Sequence, residues 1–273
     1  MDDAAFLEQV LQDPDADEPR LIYADWLDDM GSPRGEFIRI QCELAATAPK
    51  DQPHSLKLRE NELLRENEKR WAGPVSQWVD RFTFHRGFIE FVDVNVVDFL
   101  THAGSLIELT PVRTALISNA EEHLLEFVEC KHLNRLTGIG FPFTFLSEDK
   151  LKLILECEHF GNVTRLLLNN CALGDDAFAR LVTSALMDQL KWLDVSQNGL
   201  TDRGIETLAI SSDVSGLESL FISQNEISPT GGRLIAGAKY LDSLQLLDLR
   251  GNKLTTREIE LIRARFGRQA CRF

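Results

Sequence analysis

The sequence predicts an α/β fold: a solenoid with a parallel sheet on its concave side and helices on its convex side, preceded by an all-α module. Three observations carry this. Four segments of the second half repeat at constant spacing with alternating apolar residues. Between them, apolar residues recur at one helical phase. The first 80 residues carry no such repeat and read as helices.

The repeated segments are VTRLLLNNCAL (163–173), LKWLDVSQNGL (190–200), LESLFISQNEI (217–227) and LQLLDLRGNKL (244–254), each starting 27 residues after the last. In a short strand alternate side chains share a face. Leu166 and Leu168, Leu193 and Val195, Leu220 and Ile222, and Leu247 and Leu249 therefore point inward. The ninth position holds Cys171, Asn198, Asn225 and Asn252, where the chain leaves the strand and its backbone groups lose their partners. A buried Asn side chain satisfies them, and identical turns let such residues stack as a structural ladder. Cysteine does this more weakly. Leu181, Leu208, Ile235 and Ile262 recur on the return path, as do Phe178, Ile205, Gly232 and Ile259. The pattern LxxLxLxxN/CxL with a 27-residue unit and a helical return resembles the ribonuclease-inhibitor-like class of leucine-rich repeats.

Upstream the pattern decays but keeps its phase. LTGIGFPFTFL (136–146) lies 27 residues before Val163, Val112, Ala115 and Ile117 suggest a further strand, and Ile89, Val92 and Val94 suggest the first. Cys130 and Cys157 share the period and are expected to face the core. The solenoid is expected over about 82–266. Its last helix opens with a capping box, Thr255 to Glu258, and closes the core with Ile259, Ile262 and Phe266. The division read from the sequence is 1–80, a helical module with a capping helix, and 81–273, the solenoid.

Within the module, AAFLEQVLQ (4–12) is an amphipathic helix that stops before Pro14. Pro19 suits a first helical turn, with Asp17 or Glu18 as cap. Tyr23 and Leu27, and Ile22 and Trp26, are i, i+4 pairs, and Gly31 ends that helix. Ser32 and Pro33 start the next, with Phe37, Ile40 and Leu44 on one face. SLKLRENELLRENEKRW (55–71) is a charged amphipathic helix. Two short helices make a small core, so Tyr23, Trp26 and Phe37 are expected to pack rather than catalyse, with Asp25 paired to Arg34 or Arg39. The stretch PRLIYADWLDDMGSPRGEFIRIQCELA (19–45) resembles the repeat-companion domain of planctomycete and myxobacterial proteins. RGFIEFVDV (86–94), with VRTALI (112–117) after a helix, resembles the segment that joins this module to leucine-rich repeats. The resemblance implies a bacterial architecture and brings no activity with it. Gly35 stands where such sequences often have Ala, and is expected to weaken its helix slightly.

The net charge of −14 disfavours a nucleic-acid partner, which requires a basic footprint. Residues 1–40 carry eleven acids against three bases, and residues 250–273 carry seven bases against two acids. Five cysteines without a CxxC pair indicate neither a disulfide framework nor a metal site. The acidic start lacks a signal peptide's basic region, and no apolar run approaches a membrane span, so no membrane partner and a cytoplasmic location are expected. No phosphate loop, dinucleotide fingerprint, zinc-protease helix or nucleophile elbow is present. No catalytic residue, metal or cofactor is therefore assigned, and a non-enzymatic role follows.

What remains is the concave sheet. Its outward positions are Arg165, Trp192, Ser219 and Leu246, then Leu167, Asp194, Phe221 and Asp248, then Asn169, Ser196, Ser223 and Arg250. Trp192 and Phe221 stand where polar residues are expected. With Leu167 and Leu246 they form an apolar stripe, flanked by Arg165, Asp194, Asp248 and Arg250, as in a protein-binding patch. The expected function is binding of a protein partner through this face. Regulation or inhibition of an enzyme and a purely structural scaffold are the alternatives.

Overall fold

The computed structural model describes residues 2–273. The chain divides into two compact units between residues 115 and 116.

The first unit contains helices α1 (Asp3–Gln12), α2 (Glu18–Asp29), α3 (Pro33–Ala46), α4 (His54–Ala72) and α5 (Val75–Trp78), strands β1 (Arg81–His85) and β2 (Phe88–Asn95), and α6 (Val96–Leu109). Local chemistry sets the boundaries. The Asp2 carboxylate caps α1 by accepting from the Ala5 amide at 3.1 Å. Pro19 sits in the first turn of α2, Gly31 follows its end at φ +68°, and the Ser32 hydroxyl caps α3. β1 and β2 pair antiparallel through a two-residue turn, Arg86–Gly87, with both φ values positive. A Cβ on Gly87 would stand 2.3 Å from Ile38 Cγ1, so the turn can approach α3 only with glycine there.

Aromatic rings make this core. Tyr23 stacks between Phe6, at 5.8 Å, and Phe88, at 5.9 Å, and Trp26 packs half-buried on Phe6 at 5.2 Å. Phe37 stacks on Trp71 at 4.7 Å and meets Phe84 edge-on at 5.6 Å. Tyr23 and Phe37 are buried, whereas Ile22 of the expected Ile22–Trp26 pair is exposed. Asp25 pairs with Arg39 rather than Arg34, and Arg39 also takes Asp28 at 2.8 Å. Both pairs are exposed, so they add little stability. Gly35 does more than loosen a helix. A Cβ there would lie 2.6 Å from the Ala24 carbonyl and 2.2 Å from Asp28 Oδ1, so its absence allows α2 and α3 to touch.

A buried ionic network also holds this unit. Arg20 is fully buried and donates to the carbonyls of Pro14 at 2.7 Å and Arg86 at 3.0 Å. It also pairs with Glu90 at 2.7 Å. Glu90 takes Arg86 at 3.1 Å and His85 at 2.9 Å. Burial alone would raise the Glu90 pKa, but His85, Arg20 and Arg86 outweigh it and hold it below the usual carboxylate value.

β3 (Thr114–Ser118) carries the chain into the second unit, which continues with α7 (Leu124–Val128), β4 (Gly138–Gly140), α8 (Glu148–Leu155), β5 (Arg165–Leu167), α9 (Gly174–Val182) and α10 (Ala185–Gln189). Then come β6 (Trp192–Asp194), α11 (Asp202–Ile210), β7 (Ser219–Phe221), α12 (Pro229–Ala236), β8 (Leu246–Asp248), α13 (Thr256–Phe266) and β9 (Cys271–Arg272). Strands β4 to β9 pair in parallel in chain order, and from β4 to β8 the register advances 27 residues per strand. The inward leucines, Leu166, Leu193, Leu220 and Leu247, are fully buried, as are Phe178, Ile205, Leu181 and Ile235 on the returning helices. Cys130 and Cys157 are only half-buried, and Cys157 Sγ lies 3.3 Å from the Val128 carbonyl.

The C-terminal end departs from the sequence reading. Ile262 is buried but Ile259 and Phe266 are half-buried, and α13 is not the last element. β9 follows it, pairing Cys271 with Leu247 and Arg272 with Asp248. The Thr255–Glu258 capping box does not form in its usual sense, because the Thr255 side chain caps no backbone amide. Its hydroxyl instead donates to the buried Glu258 carboxylate, which also takes Arg233 at 3.0 Å.

Candidate protein-binding surface

The strands are held in place by the ninth-position ladder. Asn198 Oδ1 accepts from the amides of Cys171 at 2.9 Å and Leu173 at 3.2 Å, while its Nδ2 donates to the Leu168 carbonyl at 2.7 Å. Asn225 repeats this one turn on, accepting from Asn198 N at 2.9 Å and Leu200 N at 3.1 Å. Asn252 accepts from Ile227 N at 3.1 Å. Cys171 has a single thiol to offer, donated to the Phe141 carbonyl at 3.1 Å. Each side chain so ties two turns together.

Two further ladders had weaker signals. The residue before the ladder position is left-handed in every turn: Phe143, Asn170, Gln197 and Gln224 have φ of 60°, 56°, 59° and 53°, and Gly251 has 72°. Asn170 and Gly251, residues that tolerate this conformation, were its trace in the sequence. Asp175 accepts from Thr201 N at 2.8 Å, Thr201 Oγ1 at 2.6 Å and Gly204 N at 3.1 Å. Asp202 does the same for Ser228, accepting from its amide at 2.8 Å. Each acid thus ties down the start of the next repeat's helix. The common 27-residue spacing of Asp175 and Asp202, and of Gly204 and Gly231, was the signal.

On the outer face of the sheet, Trp192 and Phe221 meet at a ring-centroid distance of 4.7 Å and an interplanar angle of 40°. They are not directly opposite: Trp192 pairs in register with Ser219, and Phe221 with Asp194. The rings bridge the diagonal between strands, which only large side chains can span. Leu167, Trp192, Phe221 and Leu246 therefore zigzag across four strands, all half-buried, and Arg165, Asp194, Ser219 and Asp248 form the complementary zigzag. The Arg165 guanidinium carbon stands 5.4 Å from the Trp192 ring centroid, a cation–π contact.

The acids differ from a solvated rim. Asp248 is only 1% exposed and is gripped by Arg250, whose Nε lies 3.0 Å from Oδ1. Burial pushes the Asp248 pKa up, yet the Arg250 hydrogen bonds win and hold it low. Asp194 accepts from Ser196 N at 2.9 Å but forms no ion pair among the described residues, and burial followed by the nearby Asp248 charge raises its pKa. Ser196 and Ser223 join their hydroxyls at 3.0 Å beneath.

Among the described residues no group of three or more His, Cys, Asp or Glu is placed to hold a metal ion, and no helix is long and apolar enough to cross a membrane. Residues 190–209 and 243–264 match two family models described as Leucine Rich Repeat. The chain carries leucine-rich repeats. No curated protein matches its sequence. Solved structures are similar to it, among them the following two. One is the crystal structure of a TLR13–ssRNA13 complex, at 16% identity and a TM-score of 0.37, covering 53% of this chain and 20% of that one. The other is an internalin from Listeria monocytogenes str. 4b F2365, at 16% identity and a TM-score of 0.33, covering 61% of this chain and 48% of that one. The chain thus spans about a fifth and about half of the length of these two. Leucine-rich repeats of this kind point to an interaction module.

Proposed function

We propose that this protein is a non-enzymatic binding module that engages a protein partner through the outer, concave face of its sheet. Trp192 and Phe221 are its anchors, Leu167 and Leu246 extend the apolar stripe, and Arg165, Asp194, Asp248 and Arg250 surround it. The observation that supports this reading is the tilted Trp192–Phe221 pair at 4.7 Å, with Arg165 over Trp192. Large aromatics and arginine concentrate binding energy in such patches, often about 2 kcal/mol or more per side chain on truncation.

The test is the double substitution Trp192→Ala with Phe221→Ala. Both side chains point away from the leucine core and are half-buried. Their loss should remove the cross-strand ring contact and the exposed Arg165–Trp192 contact, together worth about 1–2 kcal/mol, and shift the thermal midpoint by only a few degrees. Affinity capture from native cell extract, compared with the parent protein by mass spectrometry, should lose its specific partner. A variant that melts normally and captures the same set as the parent would remove the proposal. A large drop in the midpoint with capture intact would assign the pair to structure.

A further inference from the structure

We propose that a cavity in the first unit is a binding site for a small monocarboxylate, received by the Arg34 guanidinium. The cavity measures about 160 Å³, and Leu7, Val75, Phe84, Phe88 and Leu109 contribute its apolar wall. Arg34 and Trp71 line the same space. The Arg34 guanidinium carbon lies 5.2 Å from the Phe88 ring centroid, which holds the planar group against an aromatic face.

Arg34, half-buried like Arg86, differs from Arg20 and Arg86 in its partners. Arg20 and Arg86 fill their terminal nitrogens with carbonyl and carboxylate oxygens. Arg34 has no side-chain hydrogen bond and no ion pair among the described residues; its Nε is buried without a partner, as are those of Arg20 and Arg86, but its terminal nitrogens also lack an oxygen partner there. Trp71 is only 8% exposed, and its indole N–H is equally unpartnered. Asp3 is the acid that lines the cavity, and its carboxylate is taken by the Tyr23 hydroxyl. Burial accordingly pulls the Arg34 pKa below its ordinary value. Burying a cation is costly in a folded protein. The Asp3 charge offsets part of that cost without a direct hydrogen bond to the guanidinium, and an incoming anion that bonds it directly relieves the rest.

The chemistry of the cavity selects the anion. A guanidinium fork matches a carboxylate through two parallel hydrogen bonds. A cavity of about 150 Å³ has room for a benzene ring, so the space beside Leu7, Val75, Phe84, Phe88 and Leu109 suits a compact apolar body behind the carboxylate. Phosphate would bring more charge and no apolar surface into the same space.

The test follows the Trp71 indole N–H in ¹H–¹⁵N spectra of the full chain, assigned with Trp71→Phe. Benzoate is the probe, benzamide its neutral isostere and inorganic phosphate the bare anion. Benzoate should shift the resonance saturably, and benzamide and phosphate should bind at least about tenfold more weakly. Arg34→Met should lose binding while its melting midpoint holds or rises. Arg34→Lys, which keeps the charge and loses the fork, should bind more weakly than the parent and provides the comparison if Arg34→Met does not fold. An indole resonance unmoved by millimolar benzoate, or moved equally by benzamide or phosphate, would overturn the proposal. So would undiminished benzoate binding in the Arg34 variants.

Discussion

Arg20 and Glu90, seventy residues apart in the chain, meet at 2.7 Å with the arginine fully enclosed. Every terminal nitrogen of that arginine has an oxygen partner, two of them backbone carbonyls. Removing one member of such a pair leaves the other buried and charged. Arg20→Met and Glu90→Gln are each expected to cost about 3–5 kcal/mol in equilibrium urea melts. The folded pKa of Glu90 is depressed, so its contribution is present above the ordinary glutamate value and is lost as pH falls through the folded one. The gap between the parent and Glu90→Gln should therefore narrow on acidification. A gap that widens as pH falls would contradict the assignment.

The asparagine ladder has an equally direct test. Asn198→Ala and Asn225→Ala each strand buried amides and carbonyls, including Leu173 N and Leu168 O for the first and Leu200 N and Val195 O for the second. Each should destabilise by about 1–3 kcal/mol. Unchanged urea midpoints at both positions would show that these contacts do not support the turns.

The acid at each helix start demands a glycine in the helix of the next repeat. Gly204 donates to Asp175, and a Cβ on it would stand 2.7 Å from Asp175 Oδ1 and 3.2 Å from Phe178. Gly204→Ala should therefore destabilise, against its better helix propensity, by about 1 kcal/mol or more. Gly161 is the control. It has no atom within 4 Å of its would-be Cβ and a φ of −57°, so Gly161→Ala should be neutral or stabilising by up to about 1 kcal/mol. Thermal melts of the two variants side by side decide the matter.

Asp194 is expected to respond to pH with the opposite sign to Glu90. Its folded pKa is raised, first by burial, so its contribution is complete below the unfolded aspartate value and is lost as pH rises through the folded one. Asp194→Asn keeps an oxygen for the Ser196 amide and removes the charge. It should raise the melting midpoint near neutral pH, and the gain should vanish toward about pH 4, the ordinary aspartate range. A midpoint that falls at neutral pH would show that the ionised carboxylate is stabilising.

Periodicity made the repeats legible in the sequence. Leu166, Leu193, Leu220 and Leu247 bury one face of each strand, so alternation within a segment and constant spacing between segments determine register with no knowledge of the rest of the chain. The ladder asparagines were readable for the same reason, since a repeated backbone turn poses the same hydrogen-bonding need each time. Tertiary structure alone decided where unrepeated groups find partners. Arg20 was anonymous in PRLIYADWL because Glu90 and the Arg86 carbonyl reach it from a hairpin far along the chain. Gly35 read as a weak helix residue because its merit is the closeness of Ala24. Asp248 and Asp194 occupy equivalent strand positions, yet Arg250 holds one ionised while burial works against the charge of the other. Local sequence dictates which backbone groups need satisfying and which faces turn inward; burial and charge depend on distances between segments, which exist only once the chain has packed.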